Sequence, residues 1–330
     1  MTRNRWLVAL LLAVLAALTA CNRESPAPNA SGAAPAGSGL KVGFSQVTLQ
    51  SPFYVELRKG AEDAATKAGA ELFFVDANGD VNKQNNDIQD LITRGVDVLI
   101  VNPVNPQAVA PSIAAAKAAN IPVITVDRPV ASGAVAHVGR DNKKMGELVG
   151  AAVAKTLGTT GGKVLEIQGD AGGVVMADRR DGFATGLGAL GSQIELGPYA
   201  EYVRSNAVTA MQDLLQANPD VKVVYAHNDD MALGALQVLR EAGRTDVKVA
   251  GVDGLGEALK AMQSGDQFIA TALNDPRYLG DVTIQVAQAV KAGKQVPAVV
   301  DAGTEVVTKD NVGTYVGDAL FAQYTPQITL

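Results

Sequence analysis

Apolar side chains in this sequence come in short dense runs rather than alternating with polar ones. The first runs begin at Lys41 (KVGFSQV), Ala70 (AELFFVDA), Val96 (VDVLIVN) and Pro122 (PVITVD). A second set begins at Lys163 (KVLEIQG), Ile194 (IELGPYAEY), Val221 (VKVVYAHN), Val247 (VKVAGVD) and Gln267 (QFIATALN). Each run has the length of one strand, and most are followed by a stretch with apolar residues every three or four positions. Those stretches predict helices over 53–68, 82–94, 108–118, 143–156, 176–190, 207–217, 231–241 and 276–292. A strand that is apolar on both faces needs cover on both faces, which strand–helix alternation supplies. The pattern predicts an α/β protein. Nine strands in two sets, divided near Asp141, predict two doubly wound parallel-sheet lobes.

The start of the chain breaks this pattern. Arg3 and Arg5 precede an uninterrupted apolar run from Trp6 to Leu18, and the segment ends Leu18-Thr19-Ala20-Cys21. Small residues before a cysteine suit signal-peptidase cleavage, so residues 1–21 read as a lipoprotein signal peptide with Cys21 as the lipidated new N-terminus. The apolar run is shorter than the roughly 18–20 residues a transmembrane helix needs. Residues 22–39 (NRESPAPNASGAAPAGSG) hold almost no bulky apolar side chain and cannot offset their own ordering entropy. They read as a flexible tether that reaches about 60 Å when fully extended. The folded part is therefore expected to work outside the cytoplasm, close to a membrane.

Charge and composition narrow the choice further. Loss of Arg3 and Arg5 with the leader takes the formal net charge from −6 to −8, and no basic run follows. Nucleic acid is excluded as a partner on that ground. Cys21 is the single cysteine, so the folded part is expected to carry neither a disulfide nor a thiolate metal site. The single tryptophan, Trp6, lies in the leader, so any aromatic platform for a ligand must be Phe or Tyr.

The candidate chemistry lies where the strands stop. Asn102 ends one run, Asp127-Arg128 the next, then Asn228-Asp229-Asp230, Asp253 and Asn274. In open α/β sheets, ligands bind beyond the carboxyl ends of the strands. Amides, carboxylates and a guanidinium gathered there offer donors and acceptors with little net charge. That set suits a neutral polyhydroxylated ligand, because each hydroxyl both donates and accepts.

Other motifs fail on context. Gly186-Leu-Gly188-Ala-Leu-Gly191 has dinucleotide-loop spacing but closes a helix instead of following a strand. Around Gly162-Lys163, Leu157 replaces the leading glycine of a phosphate loop and Val164 the Ser/Thr that would hold magnesium. Asp76-Ala-Asn78-Gly-Asp80 opens like a calcium loop, yet Val81 and Asp87 stand where glycine and a bidentate Glu are required; a strand-to-helix turn fits better. His137 and His227 are too few for a metal cluster, no nucleophile elbow is present, and His227 reads as a hydrogen-bonded strand-end residue. No enzyme activity, cofactor or metal is expected.

With these residues in view, the sequence resembles the ribose-binding type of periplasmic sugar-binding proteins, the substrate receptors of ABC importers. The resemblance runs from Lys41 to about Thr308. It is carried by Ser51-Pro-Phe-Tyr54, NIPVITVDR ending at Arg128, and Glu166-Ile-Gln-Gly169, together with Asp178-Arg179-Arg-Asp-Gly-Phe183, AHNDDMALGAL from Ala226, and Gly251-Val-Asp253-Gly254. It implies that Phe53 and Tyr54 lie against the faces of a sugar ring and that Asp127, Arg128 and Asn102 hold hydroxyls from the first lobe. Arg179, Asn228, Asp253 and Asn274 close over the same sugar from the second, with Tyr202 at a further stacking position. Packing alone is the rival role for Phe53, Tyr54 and Tyr202, helix capping for Asn228, a strand-end ion pair for Asp127 and Arg128, and a solvated helix position for Arg179. Ser51, Tyr54 and Asn274 depart from the Asn, Phe and Gln of the ribose receptors. Gly43-Phe-Ser-Gln46 and Tyr225-Ala-His-Asn-Asp-Asp230 look more like receptors for furanose hexoses, such as galactofuranose.

The resemblance further implies a type I periplasmic binding protein fold with a three-segment hinge near Asp141, Asn274 and Gly303. The N-terminal lobe is then 40–141 plus 275–303, and the C-terminal lobe 142–274 plus 304–330. The implied protein is a monomer that closes on a monosaccharide and delivers it to an ABC permease. The alternative is a sensor that presents a sugar or furanose signal to a chemoreceptor or kinase. A repressor built on this fold needs an N-terminal DNA-binding domain, and this sequence has a lipobox and tether there instead.

Overall fold

The computed structural model describes residues 39–330. The leader, Cys21 and the tether up to residue 38 lie outside the described residues. Apolar runs become strands and the periodic stretches become helices in the order β1 (Lys41–Gln46), α1 (Pro52–Ala68), β2 (Glu71–Asp76), α2 (Val81–Thr93), β3 (Val98–Val101), α3 (Ala110–Ala118), β4 (Val123–Val126) and β5 (Ala136–Gly139). There follow α4 (Asn142–Leu157), β6 (Val164–Gln168), α5 (Val174–Leu187), β7 (Ile194–Tyr199), α6 (Arg204–Ala217), β8 (Val223–Ala226) and α7 (Asp229–Glu241). The chain ends with β9 (Lys248–Ala250), α8 (Gly256–Ser264), β10 (Phe268–Ala272), α9 (Pro276–Lys291), β11 (Val299–Asp301) and β12 (Val306–Thr308).

The strands form two six-stranded sheets, ordered β11-β5-β4-β3-β1-β2 and β12-β10-β9-β8-β6-β7. Nearly all neighbours are parallel; β12 alone runs antiparallel, against β10. The fold class read from the sequence holds, with three strands and one helix added. β5, β11 and β12 are three or four residues each and contain Ala-His, Asp and Thr positions, so no apolar run announces them. They exist because a neighbouring strand already presents an open edge. Helix α8 was hidden by its brevity and by glycine at its start and after its end.

The chain passes between the sheets three times: after β5, between β10 and α9, and between β11 and β12. Buried Arg140 ties these passages together. Its Nη2 donates to the Asp275 carbonyl at 2.9 Å and its Nη1 to Ala302 at 3.0 Å and to the Gly303 carbonyl. One guanidinium thus satisfies carbonyls of both other passages.

Helix starts are set by side chains that satisfy free backbone N–H groups. Asp80 caps α2, Asp141 caps α4, Asn228 caps α7 and Asp275 caps α9. The Asp76–Asp80 segment is accordingly a turn and a cap: Asp76 accepts from Asn78 N at 2.8 Å, and Asp80 from Asn82 N and Lys83 N.

Helices α4 and α5 cross so closely that a Cβ on Gly182 would lie 2.0 Å from the Lys143 carbonyl oxygen, and one on Gly186 would lie 2.2 Å from that of Glu147. Gly186, the first glycine of the dinucleotide-like pattern, is a packing residue. Because α5 carries Arg179, this crossing also sets that side chain's position. Gly182→Ala is expected to cost about 1–3 kcal/mol by overpacking. Urea unfolding checks it; an unchanged midpoint would mean the two helices part freely.

Candidate functional site

Every polar residue singled out at a strand end emerges at the carboxyl edge of one of the two sheets, and the edges face each other. Ser51, Phe53 and Tyr54 lie at the start of α1, where Pro52 occupies the first helical turn and needs no N–H partner. Asp127 and Arg128 follow β4. From the other sheet come Arg179 on α5, Tyr202 after β7, Asn228 at the cap of α7, Asp253 after β9 and Asn274 after β10. These ten residues and Val175 line one small cavity.

Asn102 is the exception: it is fully buried beneath the cavity and does not line it. Its Nδ2 lies 3.4 Å from Asp127 Oδ2 and 3.4 Å from Gln46 Oε1, and its carbonyl accepts from Gln84 Nε2 at 2.8 Å. It braces Asp127 from below.

The cavity carries two charges of each sign, one of each from either sheet. Asp127 Oδ2 accepts from Tyr54 OH at 3.3 Å as well as from Asn102, both long contacts for a carboxylate. Arg179 is the best-held cation. Its Nε donates to Asn142 Oδ1 at 2.9 Å and its Nη1 to the His227 carbonyl at 2.5 Å, and its Nη2 lies 3.6 Å from Asp253 Oδ1. Asn274 Nδ2 donates to the same Asp253 oxygen at 3.0 Å. Asn228 both caps α7, accepting from Met231 N at 2.9 Å, and donates to the Tyr202 carbonyl at 3.2 Å. Capping and lining are thus not rivals at this residue.

Burial weakens the carboxylates' hold on their charge. It pushes Asp127 above the usual range, with Arg128 and then Arg179 opposing, and pushes Asp253 up to about 6 against the pull of Arg179. Arg128 Nε and Tyr202 OH are buried with no partner. The site therefore has acceptors short of donors and donors short of acceptors. A small neutral molecule rich in hydroxyls supplies both.

Backbone geometry marks the same place. Asp127 (φ 61°), Tyr202 (φ 59°) and Asp253 (φ 121°) all have positive φ without being glycine. Such conformations cost of order 1–3 kcal/mol each and persist where the surroundings impose them, commonly at binding sites. The aromatic wall is built from Phe53 and Tyr54, edge to face at 5.5 Å, with Phe321 edge-on to Phe53 at 6.2 Å. Phe321 comes from the C-terminal segment, held by Gly256 N to the Leu320 carbonyl (2.7 Å) and Ala322 N to the Gly254 carbonyl (2.8 Å).

Sequence reading missed Val175, Asn142, Phe321 and Asp170. Only Asp170 left a signal, since it follows the end of β6 just as Asp127 follows β4. His227 lies behind the cavity, fully buried. Gly169 N donates to its Nδ1 at 3.2 Å, which puts the ring proton on Nε2, 2.7 Å from Glu166 Oε1. Burial lowers its pKa, with Glu166 opposing.

Buried Asp229 adds a pH signature. Its Oδ2 accepts from Leu255 N at 2.8 Å and Thr271 Oγ1 at 2.9 Å while Oδ1 has no partner, and burial pushes it up to about 8. An acid raised in the folded state binds its proton more tightly there than in the unfolded chain, where it titrates near 3.9. Stability from this group is therefore present at low pH and is lost as pH rises from about 4 through about 8, by up to about 1.4 kcal/mol per unit. Asp229→Asn is expected to flatten the fall of Tm between pH 5 and 8.5. Parallel curves for the two proteins would show that Asp229 does not titrate in this range.

Comparison with known proteins agrees with this geometry. The periplasmic binding protein domain family matches residues 42–295. The ribose import binding protein of Bacillus subtilis (strain 168) is 37% identical over 297 residues, 88% of this chain and 95% of that protein. Its counterpart in Escherichia coli (strain K12) is 38% identical over 263 residues, 79% and 88% of the two chains. Among solved structures, an ABC transporter solute binding protein from Mycobacterium smegmatis with bound glycerol is 61% identical with a TM-score of 0.84, covering 87% of this chain and all of that one.

Proposed function

The chain belongs to the periplasmic binding protein family, and from that premise we propose that it is the extracytoplasmic sugar receptor of an ABC importer. One observation carries the reading: the cavity sets two carboxylates against two guanidiniums, so neither sign dominates, and leaves Arg128 Nε on one side and Tyr202 OH on the other without a partner. A charged substrate would leave an uncompensated charge in a buried site, whereas a monosaccharide, pentose or hexose, leaves none. Relatives named for ribose import support a ligand of this size.

In this reading Phe53, Tyr54 and Tyr202 lie against the C–H faces of the ring. Asp127 and Arg128 grip adjacent hydroxyls from one sheet, with Ser51 adding a hydroxyl of its own. Arg179, Asn228, Asp253 and Asn274 grip from the other, and Asn102 acts through Asp127. A sugar held from both sides favours the closed arrangement by the difference in its affinity for closed and open forms. The moving lobes are 40–141 plus 275–303 and 142–274 plus 304–330, turning about the three passages that Arg140 ties together. A permease then accepts the sugar from the closed form. Once signal peptidase has removed the residues before Cys21, lipid on Cys21 and the tether 22–39 keep a monomeric receptor at the membrane.

Sugar uptake by cells lacking the chain tests this directly. Uptake of the bound sugar is expected to be lost, and to return with the wild-type chain but not with Asp127→Ala. Intact uptake with a lost behavioural or transcriptional response to the same sugar would give the protein to a sensory pathway instead.

A further inference from the structure

Asp170 stands in the turn between β6 and α5 and does not line the cavity. Its carboxylate faces the other sheet: Oδ2 lies 3.3 Å from Arg128 Nη1, with only 17% and 11% of the two side chains exposed. No other ion pair among the described residues joins side chains carried by the two sheets. Arg128 lines the inner cavity and also two recesses at its mouth, one bounded by Gln50 and Asn206, the other by Asn105 and Gly172. Asp170 lines both recesses. The pair therefore lies across the boundary between the inner cavity and the outside.

The turn itself aims the carboxylate. A Cβ on Gly173 would lie 2.2 Å from Asp170 Oδ1, so the backbone is wrapped around the side chain as only glycine allows. Asp170 Oδ1 and Arg128 Nε are both buried without a partner. Arg128 follows a strand of one sheet and Asp170 a strand of the other, so the pair spans the cleft between them.

We propose that Asp170 is a positioning residue that bars the closed cleft through Arg128 and so sets how slowly bound sugar escapes; the proposal rests on the sugar-receptor reading above. Asp170 reaches Arg128 only when the two sheets approach. The pair thus contributes to the closed form and contributes nothing to the first encounter of sugar with the open one. Removing one member of a buried charge pair leaves the other uncompensated, and such losses appear in dissociation rather than association.

The test is stopped-flow kinetics of the full-length protein with D-ribose, D-allose and D-galactose as probes, comparing wild type with Asp170→Asn, Asp170→Glu and Gly173→Ala. Asp170→Asn is expected to dissociate at least about tenfold faster with association changed less than twofold. Asp170→Glu should recover part of that loss. Gly173→Ala, which keeps the carboxylate but displaces it, should dissociate faster as well. The Tm of the sugar-free protein should stay within about two degrees for Asp170→Asn, which a purely structural role would not allow. Unchanged dissociation in Asp170→Asn and Gly173→Ala, or a loss confined to association, would overturn the bar and leave the receptor reading standing. If none of the three binds, the same kinetics are run across a wider panel of pentoses and hexoses, and failure of the wild type with all of them would remove that reading and the bar with it.

Discussion

Asp127→Ala is expected to reduce sugar affinity by roughly 10²–10⁴-fold while the protein stays folded. Each hydroxyl held by a carboxylate contributes about 1.5–3 kcal/mol, and a carboxylate gripping two adjacent hydroxyls loses both at once. The present partners of Asp127, Tyr54 at 3.3 Å and Asn102 at 3.4 Å, are too distant to replace them. The folded state loses less, because burial already works against the Asp127 charge. Part of the effect is backbone: φ of 61° suits Asp and Asn better than Ala. Asp127→Asn keeps that tolerance and one acceptor oxygen, so its affinity should fall between wild type and Asp127→Ala. Calorimetric titration separates the three. Equal affinity for all three would put the sugar somewhere else.

Arg179→Met should be the more damaging change, because it strikes fold and site together. The guanidinium reaches three partners, the Asn142 side chain, the His227 carbonyl and Asp253, from a side chain that is 4% exposed. Its removal leaves Asp253 with Asn274 Nδ2 and no nearby cation on its own sheet. Breaking a buried pair in this way typically costs about 3–5 kcal/mol. Arg179 opposes the upward push of burial on Asp253, so Asp253 in the variant should hold its proton to higher pH than the present value of about 6. The unfolding midpoint should drop at pH 7 and drop less at pH 5, where Asp253 is neutral and needs no partner. An equal drop at both values would mean that packing, rather than the lost pairing, carries the cost.

Much of this architecture is legible in the chain because its causes are local. Runs such as VDVLIVN and VKVVYAHN are apolar on both faces and can be little else than buried parallel strands, and the periodic stretches between them fix the helices. β5, β11 and β12 are not legible, since three residues such as Val299-Val-Asp301 become a strand only when β5 offers an edge. The site divides in the same way. Asn102, Asp127, Arg128, Asn228, Asp253 and Asn274 declare themselves as polar residues stopping apolar runs. Ser51, Phe53, Tyr54, Arg179 and Tyr202 lie on helices or loops with no such signal, and only the family resemblance points to them. Nothing local shows that Asn142 holds Arg179 or that Phe321 backs Phe53, because those partners lie 37 and 268 positions apart and meet only through the fold. Asn102 shows the opposite limit: its position at a strand end is plain, but its depth below the cavity is a matter of packing.

A cavity between the two sheets that is built for a small neutral sugar should be stabilised by one. Thermal unfolding of the protein with and without millimolar pentoses and hexoses tests it most directly. A ligand at about 1,000 times its Kd adds roughly 4 kcal/mol of stability, which raises Tm by several degrees. Such a rise is expected with one or a few sugars, and none in Asp127→Ala. No rise with any neutral sugar, or an equal rise in Asp127→Ala, would contradict it.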